Sequence, residues 1–387
     1  MAIINRIAAF VEDMRAWRHD IHQHPELAYE EHRTGGRVAE LLREFGVDEV
    51  AEGIGRTGVV GVIRNGEGPA IALRADMDAL PIVELTGVPH RSVNDGVMHA
   101  CGHDGHTSML LGAAKYLTET RNFSGTVVLV FQPAEEGLAG AKAMLDDGLF
   151  ERYPVDAIYG VHNMPGLAEG EIRVSAGPIM AAADSFTVTV KGRGGHGAMP
   201  HMSIDPVVVA AAMVGGLQSL VSRNLDPHKT LVVSVTQIHG GDTFNVIPDT
   251  VTLGGTVRYF EKEVGDANRQ RMEALLNGIA AAHGASMEMD YKTGYPPTLN
   301  HAAEAAFAAG VASEITGSAA GDQLKVMGSE DFSFFLLEKP GAYAWVGNGN
   351  EQDRPMLHNP HYDFNDNIMP TGASYFARLV ETSLPRS

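Results

Sequence analysis

The chain has 387 residues, of which 44% are hydrophobic and 20% charged, and its formal net charge is −19. These proportions fit a globular protein long enough for two cores. The acidic balance excludes nucleic acid as a partner, because that binding rests on neutralising phosphates with Lys and Arg.

Cys101 is the one cysteine, so no internal disulfide framework exists. The first seventeen residues lack a basic stretch followed by a long apolar one. No run is read as approaching the roughly 20 apolar residues of a membrane span. The expectation is a cytoplasmic enzyme with no membrane partner. In chain order, Ile4, Ile7, Phe10, Val11, Met14, Trp17 and Ile21 recur at three- and four-residue spacing. This predicts one amphipathic helix, ending at His24-Pro25 because proline disfavours helix in its predecessor. His22 and His24, at its end, read as structural.

Three short apolar runs follow, each leading into polar chemistry. Residues 70–73 lead to Asp76 and Asp78, residues 127–131 to Glu135 and Glu136, and residues 157–161 to His162. Strands apolar on both faces belong in the middle of a parallel sheet covered by helices, and residues 108–117 read as such a helix. Ligands of such sheets collect beyond the carboxyl ends of the strands.

From residue 184 the pattern alternates, as in half-exposed strands. Strands are predicted at 185–191, 231–238 and 250–259, with helices at 206–221 and 261–283. Gly294-Tyr295-Pro296-Pro297 reads as a hinge, after which come a helix, an apolar strand at 342–346 and a closing helix. The predicted fold is α/β, with a largely parallel central sheet flanked by helices over residues 1–183 and 297–387. A smaller α+β domain is inserted at residues 184–296.

Cys101 and His103, in Met98-His99-Ala100-Cys101-Gly102-His103-Asp104-Gly105-His106, can converge on an ion from a loop before a helix, whose N-terminus favours thiolate. Glu135 and Glu136 are adjacent at a strand end, so their side chains are expected to diverge. One can then hold an ion while the other takes a proton from its water. His162 ends a strand, and His358 lies in a loop after the last core strand. Each residue taken alone reads as structural. Together, thiolate, imidazoles and carboxylate suit Mn²⁺, Zn²⁺, Co²⁺ or Ni²⁺ better than Mg²⁺ or Ca²⁺. A cysteine nucleophile with a histidine base is the rival from another class.

Particular blocks carry a resemblance over nearly the whole chain. They include Trp17 to Leu27, Arg74-Ala75-Asp76-Met77-Asp78-Ala79-Leu80-Pro81, His99-Ala100-Cys101-Gly102-His103-Asp104 and Gln132-Pro133-Ala134-Glu135-Glu136-Gly137. Further blocks are Gly194-Gly195-His196-Gly197-Ala198-Met199-Pro200-His201, Asn245-Val246-Ile247-Pro248-Asp249 and Ser329-Glu330-Asp331-Phe332. In these the chain resembles the co-catalytic metallopeptidase family of aminoacylases and carboxypeptidases, within it the hippurate hydrolase and auxin-conjugate amidohydrolase subgroup. The resemblance implies two divalent metals held by Cys101, His103, Glu136, His162 and His358. It implies Glu135 as general base and Asp78 as the acid that orients a ligand. Asp76 stands where wider relatives carry a metal-binding histidine, and its role is left open.

The same resemblance makes the insert a lid and dimerisation domain, giving a homodimer or a dimer of dimers. His196 then steadies the developing oxyanion in the partner's site, with Asn245 as helper, and Arg258 is a candidate for the substrate carboxylate. The implied reaction is hydrolysis of an N-acyl amino acid to a carboxylic acid and a free amino acid. The alternatives are a dipeptidase or carboxypeptidase, a deacetylase of an amino-acid intermediate, and a non-catalytic metal-binding relative.

Overall fold

The computed structural model describes residues 2–317, 324–350 and 355–386. In chain order the main elements are α1 (Val11–Gln23), α2 (His32–Phe45), β1 (Glu49–Ile54), β2 (Gly58–Asn65), β3 (Ala70–Asp76), α3 (His103–Thr120), β4 (Gly125–Gln132), β5 (Ala157–Pro165) and β6 (Ile172–Arg173). They continue with β7 (Ala182–Lys191), α4 (Pro206–Arg223), β8 (Leu231–His239), β9 (Thr250–Tyr259), α5 (Lys262–Ala282) and β10 (Ser286–Tyr295). Last come α6 (Ala302–Thr316), β11 (Gly341–Gly349) and α7 (Met369–Ser383). Two compact units emerge: Met1–Ile179, Leu299–Leu324 and Asp331–Ser387 form one, and Met180–Thr298 with Lys325–Glu330 form the other.

The larger unit is built on a seven-stranded sheet of order β1-β2-β4-β3-β5-β11-β6. Its middle four strands, β4, β3, β5 and β11, are parallel, with Leu73 paired to both Leu129 and Tyr159. The outer pairs are antiparallel. Residues 127–132 and 157–165 are buried throughout, as both-face coverage demands. Helix α3 is buried along nearly its whole length, packed against α7, α1 and α2.

The N-terminal segment departs from expectation. It is two helices, Asn5–Ala8 and α1, because Phe10 leaves helical geometry (φ −108°, ψ 21°) with its N–H on the Ile7 carbonyl. The buried stripe of α1 also includes Arg18 and His22, which hydrophobic periodicity does not reveal. The β1–β2 hairpin was likewise not foreseen.

In the smaller unit an antiparallel sheet of order β8-β9-β7-β10 carries α4 and α5. Alternate residues Phe186, Val188, Val190, Leu253 and Val257 turn inward to meet Met213, Leu217, Met272 and Leu276. Asp205 caps α4 by accepting from the Val207 N–H at 2.9 Å, with Pro206 in the first turn. The sequence reading missed β10, an edge strand whose half-exposed residues make a weak apolar signal. Asp184 ties it in, accepting from Tyr291 Oη at 2.7 Å, Tyr259 Oη at 2.9 Å and the Gly294 N–H at 3.0 Å. Contrary to the sequence reading, α4 is long and apolar enough by length and composition to cross a membrane. Its inward side, however, is part of this core.

Candidate metal centre

The predicted ligands lie beyond β4 (Glu136), toward the carboxyl end of β5 (His162), at the start of α3 (Cys101 and His103) and in the loop after β11 (His358), with Asp78 just beyond β3. After β4 the chain turns at Ala134, whose left-handed φ of 53° is held by its N–H on Glu31 Oε1 at 2.8 Å. Glu31 in turn accepts from Thr57 Oγ1 at 2.5 Å. Glu135 and Glu136 therefore sit in a kinked turn, Glu135–Leu138, rather than on a continuing strand. Both bring an oxygen within 4.8 Å of a His103 nitrogen, so the expected divergence does not occur. His358 (φ 61°) is held by its N–H on the Ala100 carbonyl at 2.8 Å.

Two donor triads share one sulfur. Cys101, His103 and His162 form the first, and Cys101, Glu136 and His358 the second. Cys101 Sγ lies 3.4 Å from His162 Nε2, and His358 Nε2 lies 3.2 Å from Glu136 Oε1. Donors bound at 2.0–2.3 Å to one tetrahedral ion stand about 3.3–3.8 Å apart; the Cys101–His162 spacing falls in that range and the Glu136–His358 spacing just below it. Hydrogen bonds aim the rings. His103 Nδ1–H donates to the Asp78 carbonyl at 2.8 Å, and His162 Nδ1–H to the Asn163 carbonyl at 2.7 Å. His103 Nε2 is left buried with no hydrogen-bond partner, with Asp76 Oδ2 3.7 Å away. Asp78 Oδ2 also accepts from the Glu136 N–H at 2.9 Å.

The local charge is wrong for a free thiolate. Burial foremost, then Glu136, Glu135 and Asp76, push the Cys101 thiol well above its usual range. Burial opposes a charged His103, but Asp76, Asp78 and Glu136 outweigh it and raise its pKa to about 10. Burial, then His106, holds His162 well below the usual range. A divalent cation reverses this logic, deprotonating the thiol and neutralising the carboxylates. The donor set thus fits a metal pair and does not suit a cysteine nucleophile.

Another cluster, His22, His90 and Asp363, offers ligand atoms close together. Arg18 fills that place: its Nη2 lies 2.8 Å from His90 Nε2, and its Nη1 donates to Asp363 Oδ1 at 2.9 Å. His22 contacts Asp104 Oδ2 at 2.8 Å, and His24 Nδ1–H donates to the Asp20 carbonyl at 2.8 Å, as suits structural residues.

Several residues around the centre escaped the sequence reading. Arg74, wholly buried, donates from Nη1 to Asp76 Oδ2 at 2.8 Å and to Tyr343 Oη at 3.0 Å. It also donates from Nε to Gln132 Oε1 at 2.7 Å and from Nη2 to Asp331 Oδ1 at 3.2 Å. Asp76 Oδ1 accepts from His106 Nδ1 at 2.6 Å. An arginine between Leu73 and Ala75 in an apolar strand was the available clue.

His196, Asn245 and Arg258 belong to the smaller unit. His196 pairs with Val246 in a two-residue ladder, is exposed, and accepts at Nδ1 from the Ala198 N–H at 3.1 Å. Asn245 neighbours it, its carbonyl accepting from the Gly197 N–H at 2.7 Å. Arg258, on β9, donates to Thr256 Oγ1 and to the Val257 carbonyl at 3.2 Å, and burial lowers its pKa.

Residues 72–382 match the family described as Peptidase family M20/M25/M40. The chain is 44% identical to a hippurate hydrolase of Campylobacter jejuni, covering 98% of this chain and 99% of that one. It is 40% identical to an N-acetylcysteine deacetylase of Bacillus subtilis, covering 94% of each. The crystal structure of the Bacillus subtilis YXEP protein, described as a dinuclear metal binding peptidase from this family, superimposes with a TM-score of 0.86. That similarity is at 36% identity and covers 97% of this chain and 99% of the other. The protein is accordingly a hydrolase of amide bonds, and the chain belongs to Peptidase family M20/M25/M40.

Proposed function

We propose that the protein is a metal-dependent amidohydrolase that cleaves N-acyl amino acids to a carboxylic acid and a free amino acid. The observation that carries this reading is the pair of donor triads sharing Cys101, with Glu135 beside them. Cys101, His103, Glu136, His162 and His358 would hold two divalent ions, of Mn²⁺, Zn²⁺, Co²⁺ or Ni²⁺ type. Such ions supply Lewis acidity toward the acyl carbonyl and acidify water.

Glu135, buried and close to His103 and Glu136, takes a proton from the attacking water and delivers one to the leaving nitrogen. Asp78 orients His103 and steadies the Glu136 backbone. Asp76, in this reading, is no ligand and instead holds His106. The resemblance assigns His196, with Asn245, to the oxyanion, and Arg258 to the substrate carboxylate. The proposal includes a homodimer or dimer of dimers formed through the smaller unit, a cytoplasmic location, and no nucleic-acid partner at a net charge of −19.

The acyl group is the open choice between benzoyl, as the relative's name hippurate hydrolase suggests, and acetyl, as N-acetylcysteine deacetylase suggests. Amino-acid release from N-benzoylglycine and from N-acetyl amino acids decides it. Glu135→Gln should keep both ions yet lose turnover about 10²–10⁴-fold; full activity in that variant would remove Glu135 from its role.

A further inference from the structure

We infer that Asn163 is a positioning residue that sets the separation of Cys101 and His162, two ligands carried on different elements; this rests on the metal-dependent reading above. Asn163 is wholly buried at the carboxyl end of β5. Its polar atoms face both ligands. Nδ2–H donates to the Cys101 carbonyl at 2.7 Å, while the Asn163 carbonyl accepts from His162 Nδ1–H at 2.7 Å. The backbone N–H donates to His106 Nε2 at 3.0 Å, and Oδ1 accepts from Tyr362 Oη at 2.7 Å. His106 can accept there because its Nδ1–H is committed to Asp76.

Asn163 thus ties down the loop bearing Cys101 through its side-chain amide and the His162 ring through its main-chain carbonyl, across the 3.4 Å gap between sulfur and imidazole. Aspartate would lack the donor for the Cys101 carbonyl, and alanine would lack both side-chain contacts, to the Cys101 carbonyl and to Tyr362 Oη, while both keep the main-chain carbonyl that accepts from His162.

Gly102 gives independent support. It lies between Cys101 and His103 with φ 91°, a left-handed value that glycine adopts without penalty. A Cβ built on it would stand 2.3 Å from Asn163 Nδ2 and 2.6 Å from Tyr362 Oη. The clamp therefore closes only because that position carries no side chain.

Full-length wild type, Asn163→Ala, Asn163→Asp and Tyr362→Phe are stripped with chelator and titrated with Co²⁺. Bound cobalt per chain and the sulfur-to-cobalt charge-transfer absorption are read, with circular dichroism as the check on folding. Wild type is expected to bind two cobalt ions and to display the sulfur band. Asn163→Ala and Asn163→Asp should bind cobalt about 10–100-fold more weakly, the usual cost of losing a residue that orients a ligand. Their band should also be shifted or weakened. Tyr362→Phe should move the same readouts less, in the same direction. Wild-type affinity and an unchanged band in folded Asn163→Ala or Asn163→Asp would overturn the inference. If neither asparagine variant folds, Tyr362→Phe decides: an unchanged band overturns the clamp and a weakened one supports it. Absence of cobalt binding by wild type would instead overturn the metal reading itself.

Discussion

Arg74→Met is the sharpest probe of how the larger unit carries its buried charge. Methionine keeps much of the volume but leaves Asp76 and Asp331, both wholly buried, without their guanidinium. Neither becomes bare: Asp76 keeps His106 at 2.6 Å, and Asp331 keeps Gln132 Nε2 at 2.8 Å and the Ala141 N–H at 2.9 Å. Removing one partner of a buried ion pair costs about 3–5 kcal/mol. The lost bonds to Gln132 and Tyr343 add about 1 kcal/mol or more each. With the remaining partners in place, a loss of about 4 kcal/mol at pH 7 is expected.

The sign of the pH dependence follows from Asp76. Burial opposes its ionisation, but His103, Arg74 and His106 outweigh burial and hold its carboxyl well below the usual range. A depressed carboxyl contributes stability that is present above its unfolded pKa of about 3.9 and lost as pH falls toward its folded value. Arg74→Met removes part of that contribution, so the gap between variant and wild type should be full at pH 7 and narrow below about pH 4. Urea unfolding of metal-stripped protein measures it. Both tryptophans, Trp17 and Trp345, lie in the larger unit, so fluorescence reports the relevant transition. A loss under about 1 kcal/mol at pH 7, or one undiminished at pH 3.5, would refute the reasoning.

Metal removal should abolish amide hydrolysis, and Mn²⁺, Zn²⁺, Co²⁺ or Ni²⁺ should restore it. The restored protein should resist urea better by about 4 kcal/mol per ion at a free concentration a thousandfold above its Kd, and equal urea midpoints with and without metal would contradict this. For His22, burial disfavours the imidazolium, but Asp104 and Glu84 outweigh burial and lift it to about 9. A raised histidine contributes stability that is complete below its unfolded value near 6.5 and lost as pH rises toward about 9. Its full size is about 3 kcal/mol, so wild type should weaken across that window while His22→Gln stays flatter; equal slopes would count against the pairing with Asp104.

Much of this was legible in the chain because the relevant patterns are local. Strand-length runs apolar on both faces marked β3, β4 and β5, and their polar ends marked the edge where Asp78, Glu135, Glu136 and His162 lie. Weak or mixed patterns were not legible. Edge strand β10 exposes six of its ten residues and buries none fully, and the break at Phe10 falls within an unbroken apolar periodicity. Arg18 and Arg74 are long cations that composition places at the surface, and only a partner distant in sequence lets each be wholly buried.

By itself the sequence determined the strongly patterned elements, the parallel core and the residue kinds able to hold a metal, since side-chain periodicity and donor chemistry are properties of neighbours along the chain. Tertiary structure decided which candidate donors lie together, because Cys101, His162 and His358 meet only when three separate segments converge. It also reversed one local expectation, because the turn at Ala134 brought both glutamates toward His103. Burial, and then the carboxylates of that turn and of β3, raise the Cys101 thiol. Electrostatic energy depends on distance through space and on burial, and neither is written in the order of residues.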